Sequence, residues 1–248
     1  MAEGWLIAWV LGVIFLATLI RSSFGFGEAL IAVPLLALSM PVEIASPLAV
    51  LMSITVAVIV LIEDWRRVHF SSAWRLILST LFGIPLGLLL LTTVSEAIVK
   101  AILAIIIIAF STYCLLRRTP LELHNDRLAW LFGFAAGVIG GAYGMNGPPL
   151  VIYGTLRRWT AEQFRATMQG YFLFASTVVM AGYWLTGLWV RPVTRYYLIA
   201  LPVAIVAIVL GRFVNRRLAN RSFVRYIHFG LILIGISLLI ESMVRRPQ

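Results

Sequence analysis

The sequence predicts an all-α integral membrane protein built from two inverted repeats, each a re-entrant, broken helical hairpin followed by three transmembrane helices. Composition predicts the class: 61% of the 248 residues are hydrophobic, only 12% are charged, and the mean hydropathy is +0.98. A soluble domain carries about 25% charged residues, so lipid is the expected solvent. Two glycine-rich interruptions and the distribution of arginines predict the repeat.

The net charge of +10 reflects membrane topology rather than nucleic-acid binding. The basic residues lie at the ends of apolar spans and form no amphipathic surface. Cys114 is the single cysteine, which excludes an intramolecular disulfide, a CxxC redox pair and a thiolate metal cluster. We therefore expect membrane lipid as a partner, no nucleic acid, and no cofactor or metal.

Six segments have the length and composition of ordinary membrane spans. A hydrocarbon core of about 30 Å requires about 20 apolar residues per helical crossing. The predicted spans are 44–62, 72–91, 98–116, 167–185, 196–211 and 226–244.

Two further apolar segments, 5–40 and 128–156, are interrupted by glycine. The first contains the tract Arg21–Glu28, and the second contains Gly140–Pro149. Glycine tolerates left-handed backbone, and proline suits the start of a helix. Both segments are therefore predicted to form helix, turn, helix. The arms of the second, with 12 and 9 residues, are too short to cross alone and leave either one broken crossing or a re-entrant hairpin.

The distribution of charge favours the hairpins. If both interrupted segments cross, the Lys and Arg residues other than Arg21 divide ten against nine between the two sides of the membrane. If both are hairpins, fourteen lie on one side and five on the other. The second arrangement follows the positive-inside rule, with both termini outside.

An internal repeat agrees with this topology. At an offset of 119 residues Phe24-Gly25 falls on Tyr143-Gly144, and Gly27 falls on Asn146. A hairpin plus three crossings is an odd number of crossings, so the halves, 1–119 and 120–248, are inverted. Inverted repeats with broken helices near the midplane are a recurring plan of transporters.

The two turns are the candidate anion site, because the start of each returning helix, near Glu28 and Pro148, presents unpaired N–H groups and a positive dipole end. The alternative is that the glycines serve only close helix packing. The predicted substrate-binding residues are Arg21, Ser22, Ser23, Phe24, Gly25, Gly27, Tyr143, Gly144, Asn146, Gly147 and Gln169.

Arg21 needs a partner, since a charge at membrane depth costs at least about 2.5 kcal/mol. Either its guanidinium attracts the anion, together with Ser22 and Ser23, or it pairs with Glu28 as a structural contact. Because an ionised Glu28 repels an anion, Glu28 is also a candidate carrier of a coupling proton. Asn146 is either a donor to substrate or a turn former.

Tyr143 and Gln169 each have a structural alternative as well. Tyr143 offers a hydroxyl at the position that Phe24 fills in the first half, or packs between helices. Gln169 either contacts substrate or makes an interhelical hydrogen bond.

The tracts Ser23–Gly27 and Gly140–Pro149, with the duplicated layout, resemble the sulfite exporter TauE/SafE family, also called the toluene-sulfonate uptake permease family. The resemblance implies a multi-pass transporter of the bacterial cytoplasmic (inner) membrane that exports sulfite, sulfoacetate or related organosulfonates. Import or exchange of another small anion, such as thiosulfate, is the alternative. The oligomeric state is left open, a homodimer being one option.

Two other classes of function fit the sequence less well, an enzyme and a membrane scaffold or sensor. The three histidines are scattered, and no HExxH, GxSxG or intramembrane aspartate pair occurs, so we expect no enzyme. A membrane scaffold or sensor leaves the duplicated broken helices unexplained.

Overall fold

The computed structural model describes residues 2–64, 70–116, 127–159, 161–217 and 221–244. Within these ranges the regular structure consists of ten helices and no strand. In chain order they are α1 (Ala2–Phe24), α2 (Glu28–Ala37), α3 (Val42–Asp64), α4 (Phe70–Thr93), α5 (Glu96–Leu116), α6 (Leu128–Tyr143), α7 (Gly147–Leu156), α8 (Ala161–Leu185), α9 (Arg191–Arg217) and α10 (Arg221–Val244).

Five helices of the described residues are long and apolar enough to cross a membrane: α1, α3, α4, α5 and α9. Many large apolar side chains, such as Phe82, Leu131 and Leu198, point outward. An outer surface of this kind fits lipid rather than water. The prediction of a helical membrane protein is confirmed.

The helices extend further than the apolar stretches suggested. The predicted span 196–211 lies within α9, which runs from Arg191 to Arg217, and the predicted span 167–185 is preceded by one and a half further turns. Polar and charged residues continue these helices beyond the apolar stretch. The first arm of the second hairpin, expected to end at Ile139, ends at Tyr143.

The first helix departs most from expectation. The sequence predicts a hairpin over residues 5–40, but the first helix of this segment, α1, has 23 residues. At 1.5 Å per residue it is about 35 Å long, which is enough for a crossing by itself. In contrast, α2 and α7 have 10 residues each and α6 has 16. These three helices are about 15, 15 and 24 Å long, each shorter than a hydrocarbon core.

Both glycine tracts form turns between antiparallel helices. In the first pair, the Trp9 indole near the start of α1 donates a hydrogen bond to the Leu35 carbonyl near the end of α2, at 3.3 Å. In the second pair, the rings of Phe132 in α6 and Tyr153 in α7 lie 5.7 Å apart. In each pair the short second helix therefore returns along the first.

The two halves of the chain pack through four main helix pairs: α4 with α6, α1 with α9, α5 with α10 and α3 with α8. The α4–α6 pair is the closest-packed. Its facing glycines leave no room for a side chain, because a Cβ at Gly83 or Gly137 would overlap a backbone carbonyl of the other helix. Gly87 and Gly141 repeat this contact one turn further along. Small residues at such spacing allow close helix approach in membranes.

We expect Gly137→Ala to destabilise the protein by about 1–3 kcal/mol, because the new methyl group meets the Thr80 carbonyl and lies 3.0 Å from Gly83 Cα. Gly12→Ala is the matched control, since a Cβ at Gly12 meets nothing within 4 Å and alanine favours a helix by about 0.5–1 kcal/mol. Unfolding of the purified protein in detergent measures both variants. Equal stabilities of the two would show that the α4–α6 contact is looser than described.

Candidate functional site

The two glycine-rich turns meet at one cavity. It has a volume of about 20 Å³, and the first residues of both α2 and α7 lie on its wall. The lining residues are Arg21, Phe26, Gly27, Glu28, Ala29, Leu30, Ser53, Gly144, Met145, Asn146, Gly147, Pro148 and Phe172. Turns that are about 120 residues apart in the sequence are thus neighbours in space.

Left-handed glycines make the two turns possible. Gly27 has φ 99° and directly precedes α2, while Gly144 has φ 66° and ends α6. L-residues with a side chain rarely adopt this backbone conformation. Each turn therefore depends on glycine at that position.

The two helix starts offer different backbone donors. The first N–H groups of a helix have no partner within it, and α2 begins at Glu28 with no side-chain cap. In α7, however, Pro148 and Pro149 have no N–H. The expectation that both returning helices present a set of N–H groups is therefore corrected: α2 supplies most of the donors, and α7 supplies its dipole with fewer N–H groups.

Arg21 is buried and connects three other helices to α1. Its Nη1 donates to the Glu28 carboxylate of α2 at 2.8 Å and to the Ser53 hydroxyl of α3. Its Nη2 lies 3.4 Å from the Gln169 side-chain carbonyl oxygen of α8, and the ring of Phe172 lies 5.1 Å from its Cζ. The Nε is buried and has no hydrogen-bond partner among the described residues. Of the two alternatives for Arg21, the structure contains the pairing with Glu28, and the Nε–H of the guanidinium is unused within the described residues.

Glu28 is also buried, at 1% exposure. One carboxylate oxygen accepts from Arg21 and the other accepts from the Thr18 hydroxyl at 3.0 Å. Gln169 completes the network, because its amide Nε2 donates to the Gly25 carbonyl at 3.2 Å. A side chain of α8 thereby contacts both Arg21 and the first turn.

The remaining predicted residues lie in different surroundings. Asn146 lies on the cavity wall, with its side chain against Gly140 of α6 and near the Tyr171 hydroxyl. The first half contributes Gly27 and Glu28 to the cavity, and the second half contributes Gly144 and Gly147.

Three of the predicted residues, Ser22, Ser23 and Tyr143, do not line the cavity. The Cβ of Ser22 packs against Gly211 of α9, and its buried hydroxyl has no hydrogen-bond partner among the described residues. The Ser23 hydroxyl donates to the carbonyls of Leu19 and Gly211. The Tyr143 hydroxyl donates to the Val99 carbonyl of α5 at 2.9 Å. All three make interhelical or local contacts. The side chain of Phe24 lies outside the described part of the structure.

Sequence reasoning missed Thr18, Ser53 and Phe172. Ser53 is the twelfth of the 23 residues of α3, and its hydroxyl lies 3.3 Å from that of Ser176 in α8. The available signal was a polar residue at the centre of an apolar span, which often marks an interhelical hydrogen bond. Phe172 gives no signal in a chain this rich in aromatic residues.

A family model described as Sulfite exporter TauE/SafE matches residues 10–238. The chain belongs to the TauE/SafE family. The match includes every residue that lines the cavity. This is a family of membrane transporters of sulfite and related anions, which agrees with the expectation that the chain is not an enzyme. Neither a curated protein nor a solved structure matches the chain.

We expect Gly144→Ala to impair both stability and any anion binding by this TauE/SafE protein. The substitution forces left-handed backbone, at about 1–2 kcal/mol, and its methyl group would lie 2.6 Å from Val50 Cγ2.

Gly187→Ala is the control for this variant, because Gly187 has φ 75° but a Cβ there meets nothing within 4 Å. The Gly187→Ala variant therefore has the energetic cost of left-handed backbone without a steric overlap. Thermal unfolding and sulfite binding measure both variants, and a Gly144→Ala protein that behaves like Gly187→Ala would argue against a crowded turn.

Proposed function

We propose that the protein exports small sulfur oxyanions, such as sulfite, sulfoacetate or a related organosulfonate, across the bacterial inner membrane. The anion is held at the cavity between the two glycine-rich turns. The observation that carries the proposal is Arg21, a buried cation on the cavity wall whose Nε has no hydrogen-bond partner in the described part of the chain. Membership of the TauE/SafE family supports the class of substrate.

The chemistry of the wall suits an oxyanion. A guanidinium presents several donors in one plane and matches the oxygens of an anion better than an ammonium does. The unpaired N–H groups and positive dipole end at the start of α2 favour negative charge. The Ser53 hydroxyl and the Asn146 amide add neutral polar groups on the same wall.

We further propose that the halves 1–119 and 120–248 form an inverted repeat. The pairing of helices supports this, because exchanging α1–α5 for α6–α10 converts the α4–α6 pair into the α9–α1 pair. The same exchange leaves the α5–α10 and α3–α8 pairs unchanged and converts the α4–α8 pair into the α9–α3 pair. All of these helix pairs are in contact. Such a set is expected of two halves related by a two-fold axis.

The turns are proposed to be re-entrant and to lie near the midplane. The 23-residue helix α1 then begins outside the hydrocarbon core, and only its later part is immersed. Arg21 contacts Ser53 at the midpoint of α3, which is a helix long enough to span. The Trp9–Leu35 hydrogen bond supports a return of α2 towards the side on which α1 begins. With both pairs returning, the fourteen-to-five division of basic residues leaves both termini outside.

Labelling of single cysteines tests this topology. In a Cys114→Ala background, Gly4→Cys and Ser242→Cys are both expected to react with an impermeant thiol reagent added to intact cells. Each residue lies near one end of the described chain. Reaction of only one of the two positions would mean that one of the paired segments crosses, and the inverted repeat would be wrong.

The membrane potential is the proposed driving force. An interior-negative potential favours the exit of an anion by about 2.3 kcal/mol per charge per 100 mV. The sequence contains no Walker P-loop, so we do not propose direct use of ATP.

Flux through proteoliposomes tests the function. Sulfite efflux from loaded vesicles is expected to accelerate under an interior-negative potential and to fall at least about tenfold in Arg21→Gln, since a hydrogen bond to a charged group contributes about 1.5–3 kcal/mol. Arg191→Gln removes an exposed arginine at the start of α9 and should leave flux unchanged.

Other outcomes would favour the alternatives. Efflux that does not depend on the membrane potential would favour electroneutral exchange. A preference of the protein for thiosulfate, or for inward flux, would favour an importer. No flux of any tested sulfur anion would favour a membrane scaffold or sensor.

A further inference from the structure

We propose that the Glu28 carboxylate is a tethered competitor of the transported anion. Between transport events this carboxylate is bound to the Arg21 guanidinium. In each transport cycle the anion replaces the carboxylate there. This inference rests on the proposed function and concerns the same cavity.

The geometry of Glu28 is that of a bound anion. Its Oε2 lies 2.8 Å from Arg21 Nη1, and its Oε1 accepts from Thr18. As the first residue of α2, it also lies at the end of a helix that favours negative charge. The carboxylate therefore already uses the two features of the site that would attract an oxyanion, the guanidinium and the helix start.

The small size of the cavity also favours displacement of the carboxylate. The cavity has a volume of about 20 Å³, whereas one water molecule needs about 10–15 Å³. A sulfite ion or a sulfonate group, with one sulfur and three oxygens, does not fit beside the carboxylate. Moving the Glu28 side chain off Arg21 would free both volume and hydrogen-bond donors.

The balance of charge around Arg21 favours displacement as well. Among the described residues, the charge that acts on Glu28 is that of Arg21. The groups that approach this ion pair from other elements are neutral: Ser53 of α3, Gln169 of α8 and Asn146 ahead of α7. One guanidinium cannot balance two anions, and like charges repel strongly where water is excluded. The anion must therefore displace the carboxylate or bind while Glu28 carries a proton.

Binding to wild-type protein and to Glu28 variants tests the competition. At neutral pH, Glu28→Ala and Glu28→Gln are expected to bind sulfite at least about tenfold more tightly than wild type, because the repelling charge is gone. The matched control is Glu96→Gln, which removes the carboxylate that pairs with Lys100 in α5, and its affinity should match that of wild type. Weaker or unchanged sulfite binding by the Glu28 variants would contradict the inference.

The pH dependence of binding gives a test in the unaltered protein. Methanesulfonate is a suitable probe because it stays a monoanion from neutral to mildly acidic pH. Wild type should bind it more tightly as the pH falls, since a proton on Glu28 removes the competing charge, and Glu28→Gln should show no such change. Wild-type binding that does not tighten on acidification would overturn the inference even if no Glu28 variant folds.

Formate separates competition from a general effect on structure. It supplies a free carboxylate, so it should compete with sulfite more effectively in Glu28→Ala than in wild type, where the tethered carboxylate is already present. Equal effects in both proteins would argue against a shared position. If wild type binds neither sulfite nor methanesulfonate at any pH, the proposed function fails; if it binds them but the Glu28 variants bind no more tightly, only the present inference fails.

Discussion

The buried guanidinium of Arg21 is the constraint on which the rest of the site depends. A charge at membrane depth is costly unless polar groups surround it, and here they come from α2, α3 and α8. Helices far apart in the sequence are thereby held at one point beside the first turn. Removing one partner would leave a buried charge uncompensated, which costs more than the pair itself contributes.

Glycine brings the second turn to the same point in two ways. Along α4 and α6 it allows the backbones to approach closely, so that α6 is fixed along much of its length. At Gly144 it provides the left-handed backbone that ends α6 and lets the chain reverse. The close packing of α4 and α6 determines where the turn lies, and the left-handed backbone at Gly144 allows the turn to form. The site depends on both.

Much of this arrangement could be predicted from the sequence, but only where the information is local. The two glycine tracts predict the turns, and the cost of burying Arg21 predicts a partner such as Glu28. The contribution of Ser53, the packing of Ser22 and Ser23 against α9, and the packing of Tyr143 against α5 depend on which helices pack together. Spacing along one helix does not contain that information. The lack of N–H groups at Pro148 and Pro149, by contrast, follows from the sequence alone.

The two turns are alike in backbone but differ in chemistry. The first carries both charges of the site and most of the unpaired N–H groups, while the second contributes the Asn146 amide, two prolines and no charge. Under the proposed function, the first half therefore controls how strongly an anion is held, because Arg21 and Glu28 both belong to it. The second half determines how much space the anion has, since its turn forms the opposite wall of the cavity. The proposed inverted repeat then has unequal halves, and substitutions at matching positions should affect affinity and access differently.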